Sequence, residues 1–396
     1  MCLTMLIGLV GKPNCGKSTF FKASTLADVL IANYPFATIK PNHGIGYVKV
    51  DCIDKELNVQ CTPREGFCIN HIRFVPVELM DVAGLVPGAS EGKGLGNQFL
   101  DDLRQADAFI HIVDLSGKTN AEGKPASNYD PTEDIKFLEK EIDLWYSAIL
   151  KKVWRTFART IESTKENFVQ AITKQFTGLK VTEDDVKRIV LKTKVNIEHP
   201  TKWTEDEIFN FASTLRKETK PMIIAANKID LEESRENLKK IKKEFDYPII
   251  PISADSELAL REAAKAGLIS YTPGESKFEI IKNLNPGQKI ALTQIQKLLD
   301  EYKTTGVQDV LNYVVFNLLK YNAIFPAGTN KLTDSQGRIL PDCYLMPQNT
   351  TALDFAFKLH TDLGKNFVKA IDVKTKKIVG KEHILKNRDG IEIITR

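Results

Sequence analysis

The strongest constraint on the fold is one short stretch, Gly11–Ser18, which reads G-K-P-N-C-G-K-S. It fits the phosphate-loop pattern G-x-x-x-x-G-K-[ST]. Before it runs "LTMLIGLV", an apolar segment suited to a buried parallel strand, and after it "STFFKASTLAD" suits the start of a helix. In a strand–loop–helix setting, glycines let successive backbone N–H groups turn toward phosphate oxygens, and the helix N-terminus adds its positive dipole end. The expected cradle is Lys12, Pro13, Asn14, Cys15, Gly16, Lys17, Ser18 and Thr19. Lys17 is placed to reach the β- and γ-phosphates, and Ser18 to give its hydroxyl to Mg²⁺.

Four further stretches follow in order, three of them at the C-terminal end of an apolar strand, where open α/β sheets bind ligands. "YPFAT" puts Thr38 in a loop after the first helix. "VPVELMDVAG" ends in Asp81 with Gly84 three residues on, "PMIIAANKID" carries Asn227, Lys228 and Asp230, and "YPIIPISA" ends in Ser253 and Ala254. Asp81 can hold Mg²⁺ through a water, and Thr38 can complete the metal shell once a γ-phosphate is present. The Gly84 N–H can approach that phosphate closely because no side chain intervenes. Lys17, Thr38 and Gly84 are therefore the groups expected at the reacting phosphate, and Ser18, Thr38 and Asp81 the metal set. The Asp230 carboxylate only accepts, which matches the paired donors at N1 and N2 of guanine, a pair that adenine lacks. Asn227 is expected at N7, the Lys228 stem over the ring, and the Ala254 N–H at O6.

With "GKPNCGKSTFF", "ANYPFAT", "DVAGLVPGASEGKGLGNQFLDDLR" and "AANKID" in place, the chain resembles the Obg/YchF family of translation-factor-like GTPases over essentially its whole length, and most of all the archaeal YchF-related branch. The resemblance implies GTP as substrate, GDP and phosphate as products, Mg²⁺ as cofactor and slow intrinsic turnover. Leu85 stands where many GTPases carry a water-orienting glutamine, so it cannot be the catalytic group, and no histidine occurs between Leu115 and Asp130 where bacterial and eukaryotic members carry one. Asn14 is shared with potassium-stimulated relatives; it either helps hold K⁺ against the phosphates or only shapes the loop. The glycines at 84, 88, 92, 94 and 96 suggest a switch segment ordered by nucleotide. Bacterial and eukaryotic members often have a degraded N-K-x-D and favour ATP, so an ATP- or dual-specificity NTPase acting through protein partners is the alternative.

Spacing sets the domain plan. Asp81 and Asn227 lie 146 residues apart, whereas two helix–strand steps need roughly sixty. The expectation is an α/β fold: a P-loop G domain with a mostly parallel, doubly wound sheet (1–118 and 216–280), an inserted helical hairpin or coiled-coil domain (119–215), a helical connector (281–320) and a C-terminal β-grasp TGS domain (321–396). In the insert, Ile135, Leu138, Ile142, Trp145, Ile149, Val153, Phe157 and Ile161 form one apolar stripe, and Phe168, Ile172 and Phe176 a second. "TEDDVKRIV" and "TEDEIFNFASTLRK" read as capped helices. Lys151, Arg155 and Arg159 share a face, and residues 151–180 and 355–396 each carry a balance of +5. That basicity fits either an RNA or ribosome contact or an ordinary solvated face.

"ALDFAFKLHTDLGKNFVKAI" carries the TGS resemblance, and His360 and Asp362 within it read as local caps. No synthetase catalytic domain accompanies it. Cys52, Cys61, Cys68 and His71 fall in an excess between Thr38 and Asp81; without a C-x₂-C pair they read as free thiols in an extended hairpin, with zinc as the alternative. Six cysteines without a paired framework point to a reducing, cytoplasmic setting. A net charge of +4 names no partner. No apolar run approaches about 20 residues, so no membrane helix is expected. The N-terminus lacks a basic leader region and reads as mature protein, with Met5 a second possible start, and the chain is expected to be a monomer.

Overall fold

The computed structural model describes residues 5–25, 43–81, 84–88 and 104–396. Thr38 and the glycines at 92, 94 and 96 lie outside them. In chain order the first half gives β1 (Leu6–Val10), α1 (Lys17–Thr25), β2 (His43–Asp51), β3 (Phe67–Ile69), β4 (Ile72–Asp81), β5 (Ala108–Asp114), α2 (Thr132–Thr164), α3 (Phe168–Gln175), α4 (Glu183–Thr193), α5 (Glu205–Thr219), β6 (Met222–Asn227), α6 (Ser234–Glu244) and β7 (Ile249–Pro251). The chain forms two compact units: Leu6–Thr19 with Met80–Ser253, and Met1–Met5 with Phe20–Leu79 and Ala254–Arg396.

In the first of these units β1, β5, β6 and β7 pair in parallel. β1, β5 and β6 are buried at every position, as strands covered on both faces must be. Their register brings Asp114 and Asn227 abreast, so two polar side chains end adjacent strands at one rim of the sheet.

α2 runs 33 residues and carries the predicted apolar stripe, with one difference. After Trp145 the buried row passes through Tyr146, Leu150, Trp154 and Ala158, while Ile149, Val153 and Phe157 lie at its flank. The row shifts because its partners sit to one side: Trp154 meets Trp203 at 4.7 Å, and Trp203 meets Phe168 at 5.6 Å and Phe211 at 5.3 Å. α3 is short, and the long helix packed against α2 is α5, where Ser213 and Arg216 both bond the buried Asp143. α4 and α5 each begin with a reciprocal cap, Thr182 with Asp185 and Thr204 with Glu207, which satisfies the first orphan amides. Lys151, Arg155 and Arg159 are exposed, and Lys151 pairs with Glu205.

The second half continues with α7 (Ala254–Lys265), β8 (Ile269–Ser270), β9 (Glu279–Ile280), α8 (Pro286–Tyr302), α9 (Val307–Asn312), β10 (Tyr321–Pro326), β11 (Tyr344–Pro347), α10 (Ala352–Leu359), α11 (Thr361–Lys365), β12 (Phe367–Asp372), β13 (Ile378–Val379) and β14 (Gly390–Thr395). The last five strands form one mixed sheet in the order β11-β10-β14-β12-β13, with β10 and β14 parallel. Phe355 and Ala352 of α10 share a core with Ile324, Ala370 and Ile391, the helix-on-sheet arrangement of a β-grasp. His360 is a helix cap: its Nδ1 accepts from the Asp362 amide at 3.2 Å, and both side chains are exposed.

Among the described residues no helix is long and apolar enough to cross a membrane. Trp203→Ala empties the centre of the aromatic cluster and is expected to destabilise the helical region by about 3–5 kcal/mol; a urea titration followed by tryptophan fluorescence and circular dichroism measures it.

Candidate nucleotide site

The loop between β1 and α1 is shaped by three residues with positive φ: Gly11 (152°), Asn14 (61°) and Gly16 (99°). A Cβ on Gly16 would lie 2.2 Å from Nδ2 of Asn227, and one on Gly11 would lie 2.5 Å from the Ile112 carbonyl oxygen. Both positions therefore exclude any side chain. Lys17 is buried and its Nζ donates to the carbonyl oxygens of Lys12 (2.7 Å) and Gly11 (3.1 Å), so the ammonium lies across the loop. The Ser18 hydroxyl donates to Asp81 Oδ2 at 3.1 Å, bringing together two of the three predicted metal ligands. Burial lifts the Asp81 carboxyl above its ordinary range, against the pull of Ser18 and Lys17. A hydroxyl and a carboxylate beside a loop of inward amides are the hard oxygen donors that suit Mg²⁺.

Gly84 has a packing reason to be glycine. A Cβ there would lie 2.8 Å from the Pro13 nitrogen, so this segment presses directly on the phosphate loop. The next amide, Leu85 N–H, donates to the Gly11 carbonyl at 3.1 Å, while the Leu85 side chain is buried in the core. An apolar residue after this glycine thus closes the core and does not face a reacting water.

The base-side residues carry more structural duty than the motif reveals. Asn227 donates from Nδ2 to the Cys15 carbonyl at 2.9 Å, which ties the end of β6 to the phosphate loop. Lys228 has φ of 66°, and its ammonium pairs with Asp114 Oδ2 at 2.8 Å. Asp114 is fully buried and also accepts from the Ser116 amide and hydroxyl and the Thr119 hydroxyl; against burial, the Lys228 ammonium first and then these donors hold its carboxyl below the usual range. Asp230 is exposed just beyond β6. Ile229 N–H to the Ile252 carbonyl (3.1 Å) and Ser234 Oγ to the Lys228 carbonyl (2.7 Å) fix the turn that presents it. Ser253 is buried and leads into Ala254, the first residue of α7.

Two loop side chains are engaged behind the cradle. Lys12 is buried, pairs with Asp134 at 2.9 Å, donates to the Thr119 carbonyl at 2.7 Å and sits 4.3 Å above the Tyr129 ring. Burial raises the Asp134 carboxyl to about 6, outweighing the Lys12 ammonium. Asn14 donates from Nδ2 to the Gly123 carbonyl at 2.9 Å, a brace that agrees with the loop-shaping reading. Sequence reasoning missed Asp114, Asp134 and Gly123. The signal for Asp114 was present, since "HIVDLSG" ends an apolar strand in a carboxylate; nothing local marks the other two.

Three families' sequence patterns match: "50S ribosome-binding GTPase" over residues 6–152, "Obg-like GTPase YGR210-like, G4 motif-containing domain" over 225–328, and "TGS domain" over 331–395. An uncharacterized GTP-binding protein of Methanocaldococcus jannaschii is 50% identical over 98% of this chain and 99% of its own. The chain belongs to the Obg/YchF family. A crystal structure of a GTP-binding protein from Pyrococcus horikoshii superposes with a TM-score of 0.78 at 41% identity, covering 99% of this chain and 100% of that one. A ribosome-binding ATPase YchF of Buchnera aphidicola is 28% identical over 93% of this chain and 88% of its own. Membership of a P-loop GTPase family makes this chain a nucleotide hydrolase in class.

His111, in the middle of β5, is fully buried and finds no hydrogen-bond partner among the described residues. Burial, with the nearby Lys17 and Lys12 charges, depresses its pKa to about 3. The unfolded chain therefore binds a proton below pH ~6.5 that the folded chain refuses, and stability falls as pH drops through that window. Between pH 7.5 and pH 5 this one group is expected to remove about 2 kcal/mol. His111→Leu should lose that share of the pH dependence, read from denaturation midpoints at the two pH values.

Proposed function

We propose that this protein hydrolyses GTP with Mg²⁺ and uses the nucleotide state to control its attachment to ribosomes. The Ser18–Asp81 contact beside the Lys17 loop is the observation that carries the reading, because it assembles a hard-metal pair where a β,γ-phosphate would lie. In the reaction, water attacks the γ-phosphorus, the bond to the β-phosphate bridging oxygen breaks, and GDP, phosphate and a proton leave. Backbone amides of the loop and Lys17 bind the phosphates, Ser18, Thr38 and Asp81 hold the ion, and the Gly84 amide meets the γ-phosphate. With Leu85 buried, rate comes from positioning and charge neutralisation rather than from a side-chain base. The exposed Asp230 carboxylate supports guanine recognition. Lys228 acts at the base through its stem, its ammonium being held by Asp114. The basic face of α2 and the TGS domain are the proposed ribosome or RNA contacts, in line with the ribosome-binding name of the Buchnera relative. The domain limits set out from spacing remain our proposal.

The second reading, an ATPase or dual-specificity enzyme, is favoured by the names of those same relatives. Equilibrium binding with both nucleotides separates the two. Under the first, Asp230→Asn weakens GTP by about 100-fold or more, two charge-assisted bonds being lost, and leaves ATP unaffected. Equal ATP and GTP affinity in the wild type would select the second. Hydrolysis compared in KCl and NaCl tests for the potassium ion. Co-sedimentation with ribosomes should change between GDP and a GTP analogue and fall with salt; binding that ignores the nucleotide would sink the switch.

A further inference from the structure

Within the unit containing Phe20–Leu79, three thiols and a carboxylate converge. Cys52 follows β2, Asp54 lies two residues on, Cys61 comes from the following loop and Cys68 from the middle of β3. One donor atom from each lies within 4.8 Å of all the others. Cys52 and Cys61 Sγ are 3.6 Å apart, and Cys68 Sγ is 3.7 Å from Asp54 Oδ2. Zinc bonded at about 2.3 Å to sulfur and about 2.0 Å to oxygen requires tetrahedral edges of roughly 3.8 Å between sulfurs and 3.5 Å from sulfur to oxygen. We propose that Cys52, Asp54, Cys61 and Cys68 form a structural zinc site.

The surroundings are those of a metal site. Cys52, Asp54 and Cys61 are buried. His71 Nδ1 lies 2.9 Å from Asp54 Oδ1 and would orient the carboxylate so that Oδ2 faces the sulfurs. The β3–β4 hairpin holds this geometry: its turn places Asn70 and His71 at positive φ, and the Cys52 amide donates to the His71 carbonyl at 2.8 Å. Three thiolates and a carboxylate around Zn²⁺ carry a net charge of −2. Buried Arg73, with Nη1 3.6 Å from Cys61 Sγ, offsets part of it.

The site has a structural task. Arg73 also donates to the carbonyls of Leu340 (3.0 Å) and Pro341 (2.7 Å), and the Thr62 and Arg64 amides donate to Ile339 and Pro341, each at 2.8 Å. The zinc knot thereby fastens residues 339–341, which lead into β11, the edge strand of the C-terminal sheet. Sequence spacing concealed it because the thiols lie nine and seven residues apart and meet only when the hairpin folds back on the end of β2.

The full chain, purified without chelator, is expected to hold about one zinc per chain by elemental analysis. Cobalt exchanged into it should show thiolate charge-transfer absorption and the intense d–d bands of a tetrahedral ion. X-ray absorption at the zinc edge should give three sulfurs and one oxygen. His71→Ala should weaken metal binding about 10–100-fold, Cys68→Ser should weaken it further, and Cys343→Ala should leave it intact. Exchange of the Thr62 and Arg64 amide hydrogens, which donate to Ile339 and Pro341, should quicken when the metal is stripped. A reduced wild-type chain that holds only background zinc and takes up no cobalt overturns the proposal. So does a metal shell without sulfur, or a Cys52–Cys61 disulfide as the stable state under thiol-reducing conditions.

Discussion

A single amide, Asn227 Nδ2 donating to the Cys15 carbonyl at 2.9 Å, joins the two ends of the nucleotide site. It lies where a side chain on residue 16 would have to be, so the glycine of the loop and the asparagine of the distant motif are one steric decision. The bond is buried, and losing either partner leaves a desolvated polar group, so it constrains the site more strongly than a surface contact could. Parallel pairing of β1, β5 and β6 delivers both partners to the same rim of the sheet. The phosphate loop and the turn after β6 therefore keep their spacing without depending on the loops that connect them.

Features whose cause is local were legible in the sequence. The glycines and lysine of the loop, the apolar strands before it and after it, the capping pairs Thr182–Asp185 and Thr204–Glu207, and the TGS resemblance at the C-terminus all announce themselves within a few residues. Features set by partners far along the chain were not. Lys228 was expected over a base through its stem, and nothing near it in the chain marks the partner of its ammonium, Asp114, at a separation of 114 residues. Lys12 was expected in the cradle, where its backbone amide serves, and nothing local marks the pairing of its side chain with Asp134. The α2 stripe drifted by one residue because Trp203 and Phe168 approach from one side, and periodicity alone cannot encode the direction of a partner. Thr38 and most of the glycine-rich switch fall outside the described residues.

Polar burial recurs where this protein holds its elements together. Asp143 with Arg216 and Ser213 joins α2 to α5, and Glu257 gathers Arg261, Tyr271 and Thr305. Each cluster supplies several partners for one buried carboxylate, which is how a charge is tolerated out of water. Such clusters contribute geometry more than net stability: they penalise near-native packings in which a partner is missing.

The Lys12–Asp134 pair has a consequence for how this sequence can vary. Both side chains are almost wholly shielded from solvent, so replacing one strands an uncompensated charge at a penalty of about 3–5 kcal/mol, whereas replacing both by matched apolar groups is close to neutral. The two positions are thermodynamically a single letter of the protein's alphabet. A lineage can rewrite that letter only by crossing a deep fitness valley or by changing both halves together, which couples the history of the phosphate loop to that of the first turn of the long helix.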